Sequence, residues 1–375
     1  MSDVQIPSQQ IVFSDAERAE VLRRIDAALR DGQISQGRNV REFEEEFAGL
    51  VGAAYAIAVN GGGSALQIAL QLLGATGRDV LVPTNTFAAT AAEVILAGGR
   101  VRLADVDAST FGVNVETLAA ARTPETAGVI VVHVGGLISP KIDEIRRWCD
   151  REGLWLLEDA SHAQGCSLGG RQAGRFGDLA AFSLFATKVL TCGEGGVLVT
   201  DDPERLARAQ RLRDYGKPSP WISLSVEVAT NRRMSEFAAA LGVVHLAGLA
   251  ARSAERQRVA DAYSALLADL PVVTPVLPVN ESTWYKYILL LPPDVDREFV
   301  KQGMRQRGVA LAGGVFETPL HRQPIFDGYP GAFPVADDIC ARHICLPLYP
   351  GLSHDQAQHV VTALAAALAD PAVRR

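Results

Sequence analysis

Short apolar segments and amphipathic helical segments alternate along this chain, and that alternation restricts its fold more than any other feature. Short apolar segments predict strands, and apolar residues at three- and four-residue spacing predict helices between them. The predicted strands are residues 56–59, 79–82, 101–104, 128–133, 154–158, 180–184 and 196–200. The predicted helices are residues 64–73, 88–97, 115–121 and 141–152. Repeated strand–helix alternation predicts a mostly parallel sheet with helices on both faces.

The C-terminal part has a different pattern. A long helical segment is predicted over residues 235–267, with Gly242 and Gly248 inside it. Shorter strands such as 287–291 and a final helix over 354–368 follow. We therefore expect an α/β protein with an N-terminal arm and a large domain over residues 1–250. A smaller α+β domain is expected over residues 251–375.

The start of the chain predicts a polar arm and then an amphipathic helix that ends at Asp31-Gly32. The apolar face of that helix consists of Val21, Leu22, Ile25 and Leu29. The arm shows no signal-peptide pattern, no apolar segment is long enough to span a bilayer, and the net charge is −7. These features predict a cytoplasmic protein and argue against nucleic-acid or membrane partners. The five cysteines lack zinc-site spacing, so no metal is expected.

Ligands in parallel sheets bind beyond the carboxyl ends of the strands, so polar residues directly after predicted strands are candidate site residues. The turn Gly61-Gly62-Gly63-Ser64 follows strand 56–59 and begins a helix, where free N–H groups and the helix dipole favour an anion such as phosphate. Ser183 lies near the end of strand 180–184, five residues before Lys188, and its hydroxyl could reach the same anion. The turn alone is equally compatible with an ordinary tight turn, because it matches neither the Walker nor the dinucleotide glycine pattern.

Two further strand ends carry residues suited to a planar heterocycle. Asp159 follows the apolar residues 154–157, where a carboxylate can pair with a protonated ring nitrogen. His162 lies three residues later and could pack on the ring or bond its substituents. Phe87, after strand 79–82, could stack on the ring. Taken singly, each has an ordinary alternative: a turn cap for Asp159, a core histidine for His162 and a core aromatic for Phe87.

Lys188 ends the apolar run Phe182–Lys188, just before the glycine-rich Gly193-Glu194-Gly195-Gly196. The chain uses arginine for 31 of its 36 basic residues, so a lysine in this position invites a chemical explanation. A primary amine forms a Schiff base, which a guanidinium does not. With the phosphate turn, the stacking aromatic and the acid for a ring nitrogen, Lys188 completes the residue set that pyridoxal 5′-phosphate requires.

These residues resemble the DegT/DnrJ/EryC1/StrS aminotransferases, the fold-type I enzymes that aminate nucleotide-linked keto sugars. The resemblance extends over nearly the whole chain and rests on residues 34–37, 41–45, 82–87, 158–163, 182–188, 193–196, 231–236, 319–324 and 346–352. It implies a PLP-dependent transferase of fold type I, similar to aspartate aminotransferase. It also implies homodimers with shared active sites.

The resemblance also implies residue roles. Lys188 would carry the cofactor, Asp159 would pair with its pyridine nitrogen, and Phe87 and His162 would lie against its ring. The phosphate ligands would be Gly63, Ser64 and Ser183, with Asn231 contributed by the second subunit. Arg233 and His321 belong to segments that resemble the family's substrate-binding parts.

Two positions depart from the family pattern. The family usually has threonine where this chain has Gly63, so one phosphate hydroxyl is missing, and Ser64 is expected to restore it. A tyrosine common in the family is absent from His133-Val134-Gly135-Gly136, and its loss is expected to leave more room near the sugar.

The implied reaction is amino transfer from glutamate or glutamine to a nucleotide-linked keto sugar, with a dTDP-4-keto-6-deoxyhexose favoured. A keto-cyclitol of the scyllo-inosose type is an alternative acceptor. A PLP-dependent sugar dehydratase is disfavoured, because such relatives carry histidine in place of Lys188. A cofactor-binding regulator without turnover is disfavoured by the complete set of catalytic residues.

Overall fold

A computed structural model describes residues 6–219, 222–268, 270, 272–311 and 314–374. The first five residues of the expected arm lie outside this range. The helices are α1 (Asp15–Asp31), α2 (Arg38–Val51), α3 (Gly62–Leu72), α4 (Ala88–Leu96), α5 (Val115–Ala121), α6 (Ile142–Glu152), α7 (Pro203–Arg213), α8 (Glu236–Ala247), α9 (Leu249–Leu267), α10 (Arg297–Gln306), α11 (Pro334–Arg342) and α12 (His354–Leu368). The strands are β1 (Tyr55–Val59), β2 (Asp79–Pro83), β3 (Arg100–Ala104), β4 (Thr126–Val132), β5 (Trp155–Asp159), β6 (Ser167–Leu168), β7 (Arg171–Gln172), β8 (Leu179–Ser183), β9 (Gly196–Thr200), β10 (Thr274–Val276), β11 (Tyr287–Leu290) and β12 (His343–Leu346).

The large sheet has the strand order β1-β9-β8-β5-β4-β2-β3. Neighbours from β8 to β3 pair in parallel, whereas β9 runs antiparallel to both β1 and β8. The predicted α/β fold with a mostly parallel sheet is therefore confirmed, with one antiparallel strand inserted. Because β1 and β8 both run opposite to β9, the carboxyl ends of β1, β2, β4, β5 and β8 all lie at one edge.

The register brings the glycine-rich turn next to Ser183. Both Val59 and Ser183 pair with Gly196, the first residue of β9. A Cβ atom at Gly196 would lie 2.3 Å from the carbonyl oxygen of Gly61, so a larger residue there would separate the strand from the turn. Glycine at 196 therefore permits the close approach of the two strand ends that flank it.

The hydrophobic residues form two clusters. One surrounds the large sheet and includes an aromatic contact between Phe47 and Phe182, whose ring centroids are 5.0 Å apart. The other lies between α9, α10, α12 and the antiparallel sheet β10-β11-β12. Most residues of the second cluster follow residue 258, although Ile6 of the arm also joins it. We keep the domain boundary near residue 250 as a proposal.

Two details differ from the expected helices. The segment 235–267 is two helices that meet at Gly248 with a bend of 59°. The expected apolar face of α1 is only partly covered: Leu22 and Leu29 are 66% and 58% exposed. No single helix within the described ranges is long and apolar enough to cross a membrane, and only the bent α8–α9 pair passes that test together.

Candidate active site

A cavity of about 540 Å³ lies at the edge of the sheet where the parallel strands end. Among its lining residues are Gly63, Phe87, Asp159, His162, Ser183 and Lys188, all expected from the sequence. The opposite wall comes from the C-terminal part of the chain and includes Tyr285, Lys286 and Phe316. The residues expected at the carboxyl ends of the strands and those expected from the sequence motifs thus line one cavity.

Lys188 lies in the loop between β8 and β9, and its amine faces the ring of Tyr285 at 4.9 Å from the centroid. Burial lowers the pKa of this amine from 10.5 to about 8. Asp159 opposes that shift, and the like charge of Lys286 adds to it. A lysine with such a pKa has a substantial neutral fraction near neutral pH, and the neutral amine is the nucleophile and the base.

Asp159 is the last residue of β5, and its carboxylate is buried and oriented by its neighbours. The hydroxyl of Thr90 donates to Oδ2 at 2.8 Å, and the N–H of Ser161 donates to Oδ1 at 3.2 Å. Thr90 also bonds the hydroxyl of Thr86 at 2.9 Å. The carboxylate is therefore held in a fixed position at the cavity wall, where it can face a cationic ring nitrogen.

The adjacent carboxylate, Glu158, points to the other face of the sheet, as alternation along a strand requires. It is completely buried and accepts hydrogen bonds from the N–H groups of Gly174, Phe176 and Gly177 at 2.6 to 2.8 Å. His133 contacts it at 2.9 Å. Glu158 stabilises the loop between β7 and β8 and takes no part in the cavity.

His162 has a defined tautomer. Its Nδ1 accepts a hydrogen bond from the N–H of Gly135 at 3.2 Å, so the proton of the neutral ring is on Nε2. Burial, and then the charges of Lys188 and Lys286, hold the pKa of His162 well below its usual value. The ring packs against those of Tyr285 and Phe316, whose centroids are 4.4 and 5.5 Å away. His162 is thus a neutral, oriented ring in the cavity wall.

The turn before α3 forms a cradle suited to a phosphate. The helix starts at Gly62 without a side-chain cap, which leaves its first N–H groups free for an anion. A Cβ atom at Gly62 would lie 2.8 Å from Cβ of Ser183, and one at Gly63 would lie 2.6 Å from Oε1 of Glu93. Glycine at 62 thus permits the close approach to Ser183, and the free N–H groups at this helix end fit the phosphate of pyridoxal 5′-phosphate.

Phe87 lies at the N-terminus of α4, and its side chain is exposed over much of its surface. An exposed phenyl ring beside a cavity has an uncovered face that a planar ligand could cover. This observation is compatible with the stacking role expected for Phe87.

The model of the DegT/DnrJ/EryC1/StrS aminotransferase family matches residues 15–365 of this chain. The chain belongs to that family. It is therefore an aminotransferase of sugars with the PLP-dependent fold type I, as the motifs predicted.

Three members of the DegT/DnrJ/EryC1/StrS family are similar to this chain over nearly its whole length. The spore coat polysaccharide biosynthesis protein SpsC of Bacillus subtilis is 33% identical over 92% of this chain and 93% of its own length. The dTDP-4-dehydro-2,3,6-trideoxy-D-glucose 4-aminotransferase of Saccharopolyspora spinosa is 34% identical over 91% and 92%. The crystal structure of DesI in the presence of its TDP-sugar product superposes with a TM-score of 0.87, at 32% identity, over 94% of this chain and 91% of DesI.

Four expected site residues of this aminotransferase do not line the cavity of their own chain. The hydroxyl of Ser64 donates to Oδ1 of Asn60 at 2.7 Å, so it does not replace the missing phosphate hydroxyl in this conformation. His321 lies between Thr84, 2.7 Å from Nδ1, and Asp337, 2.9 Å from Nε2.

Asn231 and Arg233 lie in an extended segment outside the cavity. Asn231 forms a bridge with Asp214, and Arg233 forms an ion pair with the same residue. Their expected roles, in cofactor and substrate binding, stay predictions.

One part of the cavity wall was not predicted from the sequence and is formed by Gln9, Tyr285 and Lys286. Gln9 of the arm donates to the carbonyl oxygen of Thr187 at 2.6 Å, next to Lys188. Lys286 places its amine 5.0 Å from the ring centroid of Tyr285, on which Lys188 also lies. The scarcity of lysine, which drew attention to Lys188, applies equally to Lys286 and was the available signal.

Proposed function

We propose that this aminotransferase uses pyridoxal 5′-phosphate to move an amino group from glutamate or glutamine to a dTDP-4-keto-6-deoxyhexose. The observation that carries the proposal is the low-pKa amine of Lys188 in one cavity with the fixed carboxylate of Asp159 and the Gly62–Ser183 cradle. When bound, the cofactor supplies an electron sink and carries the amino group between the two substrates.

The chain's own residues would divide the work. Lys188 would hold the cofactor covalently, and its neutral amine would move a proton to and from the substrate carbon. Asp159 would keep the ring nitrogen protonated. Ser183 and the N–H groups at Gly63 would bind the phosphate, and His162 and Phe87 would orient the ring.

The choice of amino-group acceptor is inferred from the names of the relatives. The S. spinosa relative is named for a dTDP-linked 4-dehydro sugar, and DesI was crystallised with a TDP-sugar product. SpsC, by contrast, is named only for spore coat polysaccharide biosynthesis. A dTDP-linked 4-keto sugar is accordingly the first acceptor to test.

We propose a homodimer in which each subunit completes the other's site. Large apolar side chains are exposed in the single chain, including Leu224, Val226 and Val228, just before the segment that holds Asn231 and Arg233. Val228 is 94% exposed. A second copy that covers this region would bury apolar surface and carry Asn231 towards a cavity other than its own.

A mixed-dimer experiment tests whether Asn231 of one subunit acts in the active site of the other. In a dimer of one Lys188→Ala and one Asn231→Ala subunit, sharing leaves one site with both residues intact, and activity returns. If Asn231 acts within its own subunit, every site lacks one residue and the mixed dimer stays as defective as its parents. Sedimentation analysis checks that the dimers form.

The reaction is tested by incubating the cofactor-loaded enzyme with glutamate or glutamine and then with dTDP-4-keto-6-deoxyglucose. We expect the visible absorption band to bleach with the donor and a dTDP-amino sugar to form, detected by mass spectrometry. Lys188→Ala should lose both signals, whereas the control Lys141→Ala, at a half-exposed lysine outside the cavity, should keep them. A bleached band without product from this sugar would refute the proposed acceptor, and a band unaffected by either donor would refute the proposed donors.

A further inference from the structure

Gly63, in the phosphate cradle, lies beside the carboxyl group of Glu93. Gly63 is the second residue of α3 and lines the cavity. Glu93 projects from α4, which packs against α3, and its Oε1 lies 2.6 Å from the place where a Cβ atom at Gly63 would stand. A threonine at 63, usual in the family, would therefore collide with the carboxyl group as it is placed here.

The carboxyl group of Glu93 has no obvious structural purpose. Within the described part of the chain, its side chain forms no hydrogen bond and no ion pair, and Arg232 acts on it only from a longer distance. Arg232 instead donates to the carbonyl oxygen of Leu212 at 3.0 Å and to the side chain of Gln67. A half-buried carboxyl group is thus directed at the N-terminus of α3 and has no hydrogen-bond partner in the described part of the chain.

We propose that Glu93, in its neutral form, takes the place of a hydroxyl side chain at position 63 and donates a hydrogen bond to the cofactor phosphate. The inference rests on the proposed function, since it requires pyridoxal 5′-phosphate in the cavity. It assigns to α4 a phosphate contact that the sequence motifs attributed to Ser64.

The charge state of Glu93 decides whether it attracts or repels a phosphate. Burial raises its pKa to about 7, against the opposing effect of Arg232. Arg232 is the only charged residue of the described chain that contributes to this shift, and the N-terminus of α3 adds a partial positive charge. A bound phosphate favours the neutral carboxyl further. Cofactor affinity should therefore fall as pH rises and Glu93 ionises.

The test measures the affinity of the cofactor-free protein for pyridoxal 5′-phosphate by absorbance titration at about pH 6.5 and about pH 8.5. Glu93→Gln keeps a donor but never ionises, and Glu93→Met keeps the size but has no donor. Pyridoxal without its phosphate is the comparison ligand. Lys188 and the cofactor phosphate titrate in every variant, so the ratio of wild-type to variant affinity isolates Glu93.

We expect Glu93→Met to weaken pyridoxal 5′-phosphate binding about tenfold at the lower pH, the loss of one hydrogen bond to a charged group. Glu93→Gln should match the wild type there and bind more tightly than it at the higher pH. Pyridoxal should be insensitive to either change. Gly63→Thr should weaken binding, and adding Glu93→Ala to it should restore binding by removing the collision.

Parallel pH profiles for the wild type and Glu93→Gln, or an unchanged affinity in Glu93→Met, would overturn the inference. Equal losses for pyridoxal and its phosphate would also overturn it, because they would show a general disturbance of the cavity. A wild-type protein that binds no cofactor at all would instead refute the proposed function on which the inference rests.

Discussion

The amine of Lys188 should titrate far below an ordinary lysine. Its pKa falls from 10.5 to about 8 because burial disfavours the charged form. At about pH 7.5, a pKa of about 8 leaves about a quarter of the amine neutral, against about one part in a thousand for an ordinary lysine. The neutral, reactive fraction is therefore larger by a factor of about 200.

Competitive labelling measures the pKa of the Lys188 amine directly. Cofactor-free protein is treated with a trace of acetic anhydride across a pH series, and mass spectrometry follows the Lys188 peptide with Lys141 as the internal reference. We expect labelling of Lys188 to reach half its plateau at about pH 8. Lys286→Met should raise this midpoint, because it removes a like charge, and Asp159→Asn should lower it, because it removes the attraction. A midpoint near the ordinary lysine value, or Lys286→Met shifting it downwards, would refute the reasoning.

Three other substitutions separate catalysis, positioning and stability. Asp159→Asn should reduce the turnover rate by orders of magnitude while the cofactor remains bound. Steady-state kinetics measure the rate, and the absorption spectrum shows the bound cofactor. Full activity would show that this carboxylate does not keep the ring nitrogen protonated. Thr90→Val removes the 2.8 Å hydrogen bond to Asp159 and should reduce kcat about tenfold. The free energy of unfolding should change by only about 1 kcal/mol. An unchanged kcat would contradict the positioning role of Thr90. Glu158→Gln disturbs a buried acceptor of three N–H groups and should lower the free energy of unfolding by about 3 kcal/mol, and an unaltered thermal midpoint would contradict that.

The parallel sheet and one wall of the cavity were predictable because local patterns encode them. Asp159 and Ser183 end strands in the sequence, and parallel strands bring their ends to one edge. The family match confirmed the fold and the reaction class. The glycines at 62 and 63 were recognised as a turn, but their tight contacts with Ser183 and Glu93 appear only in the packed structure.

The other features of the site were not predictable, because they depend on contacts between distant parts of the chain. Lys286 lies nearly one hundred residues after Lys188, and no local pattern predicts that both amines flank Tyr285. The hydroxyl of Ser64 was expected at the phosphate but bonds Asn60, one helical turn earlier. Leu22 and Leu29 fit an amphipathic helix, yet the single chain leaves them exposed. Periodicity identifies an apolar face without identifying what covers it.

The central claim is that Lys188, and no other amine, carries the cofactor. The most direct measurement is borohydride reduction of the protein loaded with pyridoxal 5′-phosphate, followed by peptide mapping by mass spectrometry. Reduction fixes the cofactor to the amine that holds it, and Lys286 in the same cavity is the internal competitor. We predict that the added mass lies on the peptide of Lys188. Modification of Lys286 instead, or no modified peptide from a protein that has taken up the cofactor, would contradict the account.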